Sequence, residues 1–370
     1  MTIISGHGSI EFTGEAMNIG FARAAFLAVL TGVLAVPLPS PNVLAQQPRP
    51  PAQQPQQQPE FAIAVEVPLI NVDVVVADRD GNFVTGLKQE NFRILVDNQP
   101  QKITNFAPTE SAITIVILME FSRILWSYYW DSPADNARYW SYQFLNHLGK
   151  EDWVALVSFD LRTRIEVDFT QNKMAVGEHI ARMVFPSFTE ARLFDALIET
   201  IERMQDIKGK KSILLVATGL DTFSRYNLDE TLRFLRQSDV TIFAIGASEN
   251  IVDLFDAYGI LSGPDRVSFL QAKNQLNTFA RITGGRAWFP RFDGQLPGIF
   301  EQIAAMLRNQ YSLAFIPPEK FRDGKFHKIK VEVIAPDGRP LEVVDQRGRK
   351  VRYEVYAREG FLIPRPREAD

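Results

Sequence analysis

The chain has 370 residues, of which 46% are hydrophobic and 23% charged, with 40 basic side chains against 44 acidic and a formal net charge of −4. It contains no cysteine, which excludes a disulfide scaffold, a thiol nucleophile and any zinc or iron–sulfur centre held by thiolates. The slightly acidic balance argues against a chain built to hold nucleic acid, and four scattered histidines (His7, His147, His179 and His327) argue against a multi-histidine metal centre.

Ala24 to Leu38 reads AAFLAVLTGVLAVPL, an apolar run of 15 residues behind Arg23 that is broken by Pro37, Pro39 and Pro41. A spanning helix needs about 20 apolar residues. The shorter run, followed by small residues at Val43 and Ala45, predicts a cleaved export signal over 1–45, with Met17 as an alternative start and retention as an anchor as the alternative fate. Gln46–Glu60 (QQPRPPAQQPQQQPE) offers no apolar side chain larger than Ala apart from the prolines, so 46–60 is expected to be a disordered linker. Signal and tether together predict an exported protein, periplasmic or secreted, with no membrane span once the signal is removed.

Residues 61–110 carry strand and turn patterns. Ile70–Val76 alternates and is β-branched, Asp80-Gly81-Asn82 is a turn signal, and Phe92–Val96 ends at Asp97-Asn98. Residues 311–364 do the same with Tyr311–Ile316, Lys328–Ile334, the Asp337-Gly338 turn and Val351–Tyr356, leaving 365–370 as a tail. Neither flank has enough strands to stand alone, so the two are expected to form one antiparallel β-sandwich around the middle.

Across 111–310, buried-strand runs alternate with helical stripes, which predicts an α/β doubly wound, mainly parallel six-stranded sheet. The strands are Ile113–Met119, Trp153–Phe159, Arg164–Phe169 as an edge, Ser212–Ala217, Val240–Gly246 and Arg286–Phe289. Ile113–Met119 (ITIVILM) is apolar throughout, as a strand covered on both faces should be. Helical stripes fall at Ala137, Trp140, Phe144 and Leu148; at Leu193, Leu197, Ile201 and Met204; at Leu228, Leu232 and Leu235; from Phe269 to Ile282, stopped by Gly284; and after Pro297. Gly209-Lys210-Lys211-Ser212 lacks the upstream glycine of a phosphate loop and is expected to be a solvated turn.

The ordered set of INVDVVVADRDGNFVTGLKQENFRILVDNQPQKITNF, ILMEFSR, EARLFDAL, LLVATGLDTFS and NQYSLAFIPP…DGKFHKIKVEV resembles the bacterial secreted proteins built on a von Willebrand factor type A (VWFA) domain, over about Val65 to Pro364. The resemblance implies a metal-ion-dependent adhesion site at the carboxyl edge of the sheet, with Asp-x-Ser-x-Ser in a first loop, Thr in a second and Asp in a third. This chain departs from that set. Glu120, Ser122 and Ile124 occupy the first loop, Ala191 aligns with the second-loop Thr while Thr189 and Glu190 are out of register, and Thr218-Gly219 replaces Asp-Gly with Asp221 following.

The expected site is therefore a degenerate one of Glu120, Ser122, Thr189 and Asp221. Beside it, Trp126, Tyr128, Tyr129 and Trp130 put four aromatics within five residues, more than one period can bury, and are expected to contact a protein partner of the cell envelope or exterior. The reading is a non-enzymatic recognition or adhesion module without a tightly held metal. One alternative is an adhesion domain with an altered Mg²⁺ site, and another is a hydrolase using Glu120, Asp160, Glu190, Asp195 or Asp221. Asp195 and His327 read as structural.

Overall fold

A computed structural model describes residues 69–78, 82–107, 112–123, 144–183, 188–259, 262–344 and 349–363. The signal, the linker and the aromatic run Trp126–Trp130, with the helical stripe at Ala137 and Trp140, lie outside these residues.

Four strands come first: β1 (Ile70–Asp78), β2 (Phe92–Val96), β3 (Gln99–Gln101) and β4 (Ile103–Ala107). The turn between β2 and β3 holds Asp97 and Asn98 at φ 47° and 64°. Short polar residues tolerate that left-handed geometry, which suits a tight hairpin. The α/β part follows with β5 (Ile113–Glu120), β6 (Trp153–Phe159), β7 (Thr163–Thr170), α1 (Lys173–Arg182), α2 (Leu193–Arg203), β8 (Lys210–Ala217), α3 (Leu228–Gln237), β9 (Thr241–Gly246), α4 (Ser248–Ala257), α5 (Gly263–Thr283), β10 (Ala287–Trp288) and α6 (Leu296–Arg308). The chain returns to strands in β11 (Tyr311–Phe315), β12 (Phe326–Val333), β13 (Val343–Val344), β14 (Lys350–Val351), β15 (Tyr353–Ala357) and β16 (Gly360–Leu362).

The six-stranded sheet has the order β10-β9-β8-β5-β6-β7, parallel except for the antiparallel edge strand β7. This is the doubly wound, mainly parallel six-stranded sheet that the alternation of strand and helix predicts. Alternation along β5 divides its side chains between two cores. Ile113, Ile115, Ile117 and Met119 join α1 and α6 on one face, while Val116 and Leu118 join α2, α3 and α5 on the other. The stripe Leu193, Leu197, Ile201 and Met204 is fully buried there. Burying one such leucine contributes about 1.5–3 kcal/mol.

The flanks interleave in two antiparallel sheets, β15-β1-β11-β4 and β16-β12-β2-β3. Val72, Val74 and Val76 of β1 share one core with Phe92, Ile94, Leu313, Phe315, Ile329 and Val331, while Val75 points the other way into the α/β core. The period-2 pattern of β1 is thus a division of labour between sandwich and α/β unit.

One expectation fails. Lys210 and Lys211 do not form a solvated turn: only Gly209 turns, at φ 91°, and both lysines open β8 almost wholly buried. Their ammonium groups make this tenable. Lys210 Nζ donates to the Gln310 carbonyl at 2.5 Å, and Lys211 Nζ pairs with Asp239 at 2.7 Å.

Candidate functional site: the carboxyl rim of the sheet

The parallel strands β5, β8, β9 and β10 all end at one edge, where a doubly wound sheet places its binding crevice. Glu120 is the last residue of β5, on the face turned toward α2 and α5, and is 2% exposed. Its carboxylate is fully engaged. Ser122 Oγ donates to Oε1 at 2.5 Å, and the amide and hydroxyl of Thr218 both donate to Oε2, at 2.7 and 2.8 Å. Burial pushes the Glu120 carboxyl above its ordinary range, and these three neutral donors pull it part of the way back. Glu120 therefore ties the end of β5 to the end of β8.

Of the expected site residues, the structure brings Glu120 and Ser122 together and places the other two elsewhere. Asp221 serves the open start of α2, where Arg192 provides no side-chain cap. Asp221 Oδ1 accepts from the Phe194 amide at 3.1 Å and from Ser224 Oγ at 2.5 Å. Ser224 Oγ accepts from the Asp195 amide at 3.1 Å, and Thr222 Oγ1 accepts from the Ala191 amide at 3.0 Å. The loop after β8 is in effect the N-cap of α2, lent from outside the helix. Thr189 is exposed, and its amide donates to Glu190 Oε2 at 3.1 Å.

The carboxylates of the hydrolase alternative have protein partners as well. Asp160 is held by both terminal nitrogens of Arg164, at 3.0 and 2.8 Å. Asp195 accepts from the Arg225 and Tyr226 amides, at 2.9 and 3.3 Å, and from Arg225 Nε at 3.1 Å, the structural role its position suggests.

Thr218, noted in the sequence only as a departure from the third-loop Asp, turns out to be the partner of Glu120. Register would have found it: Met119 lies opposite Val216, which puts residue 218 beside the end of β5. Gly219 comes next, at φ 85°, and a Cβ there would meet the Ala272 carbonyl at 2.7 Å, so only glycine lets this loop lie against α5.

These residues do not fit a Mg²⁺ ion held as in VWFA domains. Both oxygens of Glu120 already accept protein hydrogen bonds, its carboxyl group is desolvated, and the Asp221 carboxylate is committed to α2. An octahedral ion also needs room for several waters. Among the described residues, no group of three or more His, Asp or Glu side chains stands close enough to hold a metal.

No family model matches the chain, and no curated protein matches it. Among solved structures, it is similar to a von Willebrand factor type A protein from Catenulispora acidiphila, with 11% identity over 78% of this chain and 73% of that one and a TM-score of 0.41. It is similar to the vWF domain of the type V pili tip protein from Porphyromonas gingivalis, with 14% identity over 52% of this chain and 94% of that one and a TM-score of 0.39. It is also similar to proximal thread matrix protein 1 from the mussel byssus, a structure with a zinc-occupied metal-ion-dependent adhesion site, with 16% identity over 57% of this chain and 48% of that one and a TM-score of 0.41.

Proposed function

We propose that the chain is an exported, non-enzymatic recognition module that holds a protein partner at the carboxyl rim of its α/β sheet without a tightly bound metal. One observation carries the reading. Of the seven large aromatic side chains exposed among the described residues, Phe188, Phe223, Tyr226, Tyr258 and Phe292 belong to loops at this rim, and only Trp153 and Phe326 lie elsewhere. Scattered aliphatic exposure needs no explanation, but aromatics gathered at one edge mark an interaction surface. Trp126, Tyr128, Tyr129 and Trp130 follow β5 by a few residues and add to the same rim in this reading. Among the described residues no helix is long and apolar enough to cross a membrane.

The test is capture of partners from a cell-envelope extract by the full chain, by a Phe223→Ser/Phe292→Ser variant and by a Trp126→Ala/Trp130→Ala variant, each with and without chelator. Both variants are expected to lose the captured protein, and the thermal midpoint of the Phe223→Ser/Phe292→Ser variant is expected to stay within a few degrees of the parent, because exposed side chains contribute little to stability. Capture unchanged in both variants removes the rim reading. Capture abolished by chelator alone favours the altered Mg²⁺ site.

A further inference from the structure

At the amino end of the α/β sheet, opposite the rim, a cleft lies where that sheet meets the sandwich. It consists of two cavities, of about 420 and 530 Å³, that share a wall of Leu69, Asn71, Gln205, Lys211 and Asp239. Both are in the size range of sites for small organic ligands. Arg358, in the turn from β15 to β16, lines the first cavity opposite the apolar Ile201, Phe234 and Leu362. Arg358 is only 7% exposed. Its Nε donates to the Gly360 carbonyl and its Nη2 to the Arg236 carbonyl at the end of α3, both at 2.9 Å. Both acceptors are neutral, and among the described residues Nη1 has no hydrogen-bond partner and the guanidinium no ion pair. The charges around it do not balance. Lys210, Lys211 and Arg358 are three buried cations, and the carboxylates among them are two, Asp73 and Asp239. Asp239 is taken by Lys211 at 2.7 Å, and Asp73, held by Ser312 Oγ at 2.5 Å, is pushed by burial toward its neutral form. The next charges outward, Arg308 and Asp152, pair with each other. A buried cation short of a counterion is costly, so an anion arriving from outside is favoured.

We propose that this cleft binds a small apolar carboxylic acid, its carboxylate on Arg358 Nη1 and its hydrocarbon body along Ile201, Phe234 and Leu362. The site is independent of the rim reading. A charge-assisted hydrogen bond to the one guanidinium nitrogen left over would complete the set of donors on Arg358. Asp239 stands nearby, which favours a single negative charge over the higher charge of a phosphate. The apolar wall favours a hydrocarbon body over a fully hydrated ion. At about 30 Å³ for each water-sized atom, the first cavity holds on the order of a dozen non-hydrogen atoms. Burial lowers the Arg358 guanidinium to about 10 against the pull of Asp239 and Asp73, and a bound carboxylate would add to that pull.

The experiment is calorimetric titration of the full chain with octanoate, octanol and inorganic phosphate, repeated on Arg358→Gln and Asn71→Asp. Octanoate is expected to bind one to one, and octanol at least tenfold more weakly because it brings no charge. Phosphate is expected neither to bind nor to displace octanoate. Arg358→Gln removes the cation and should abolish the preference for octanoate over octanol. That variant also loses a bond to α3, so its unfolding is followed alongside, and where it does not fold Asn71→Asp decides. Asn71→Asp keeps the shape of the wall and supplies the anion from within. It should weaken octanoate at least tenfold, spare octanol and unfold as cooperatively as the parent. The proposal is overturned if the parent binds neither compound or binds both alike, if phosphate displaces octanoate, or if Asn71→Asp binds octanoate as well as the parent.

Discussion

The two ends of β5 each present a buried carboxylate, and they handle it in opposite ways. At the amino end, Asp152 is 1% exposed and takes the Ile113 amide at 3.0 Å, the Gly149 amide at 2.7 Å and the fork of Arg308. At the carboxyl end, Glu120 meets hydroxyls and one amide but no cation. The amino end is thus a compensated charge that locks α6 and the approach to β6 onto the sheet. The carboxyl end is a carboxyl group kept by hydrogen bonds alone, and its protonation is the adjustable quantity. The same strand therefore ends in a rigid floor and a chemically open rim.

Three measurements sharpen or break this contrast. Asp152→Ala leaves Arg308 and two amides without their acceptor. Breaking a buried pair costs about 3–5 kcal/mol, and because the Arg308 side chain is 37% exposed and can still reach water, the lower end is expected, about 3 kcal/mol in urea denaturation. A loss under about 1 kcal/mol would mean that the floor is no firmer than the rim. Thr218→Val deletes the hydroxyl donor to Glu120 but keeps the amide donor, so a loss of about 1–1.5 kcal/mol is expected in the same assay. No loss would show that Glu120 does not tie β5 to β8.

The smallest effect is a dependence on pH. Glu120 has a folded value above the ordinary 4.5, so the folded state binds more protons than the unfolded one, and its contribution falls as pH rises from about 4.5 through the folded value. Glu120→Gln should remove this decline, so the difference in stability between variant and parent grows in the variant's favour across that interval. A difference independent of pH contradicts the assignment.

Much of the fold was legible because its elements are strongly periodic. Ile113–Met119 and Trp153–Phe159 are short apolar runs of the kind a doubly covered strand carries, and the stripes of α2 and α3 are amphipathic enough to define their buried faces. What escaped notice did so for physical reasons. The first turn of α5 is polar, so its apolar period begins only at Phe269, although a capping box of Ser262 and Asp265, with Pro264 between them, starts seven residues earlier. The short α1 buries only Val176, Gly177 and Ile180, too few residues to show a stripe. Lys210 and Lys211 look like surface residues because composition does not reveal a waiting carbonyl or carboxylate. At the site, Glu120 and Ser122 were visible as a departure from an expected pattern. Thr218 was visible in the same way, but its bonds to Glu120 and the gathering of the exposed Phe223 and Phe292 depend on register and on which loops meet, and local sequence carries neither.

The interleaved sandwich has a consequence for how the chain reaches its native state. Asp73 of β1 meets Ser312 of β11 across 239 residues of sequence. A strand that must wait for so distant a partner closes late, since ordering a long loop comes before the contacts reward it. Until β11 and β15 are made, β1 is an unpaired apolar ribbon, and until β12 is made β2 has only the short β3 beside it, the kind of edge that other chains readily join. The α/β unit in between can acquire its own core first and draw the two flanks together at its floor. In this chain, then, the α/β unit is also the scaffold on which its own support is assembled.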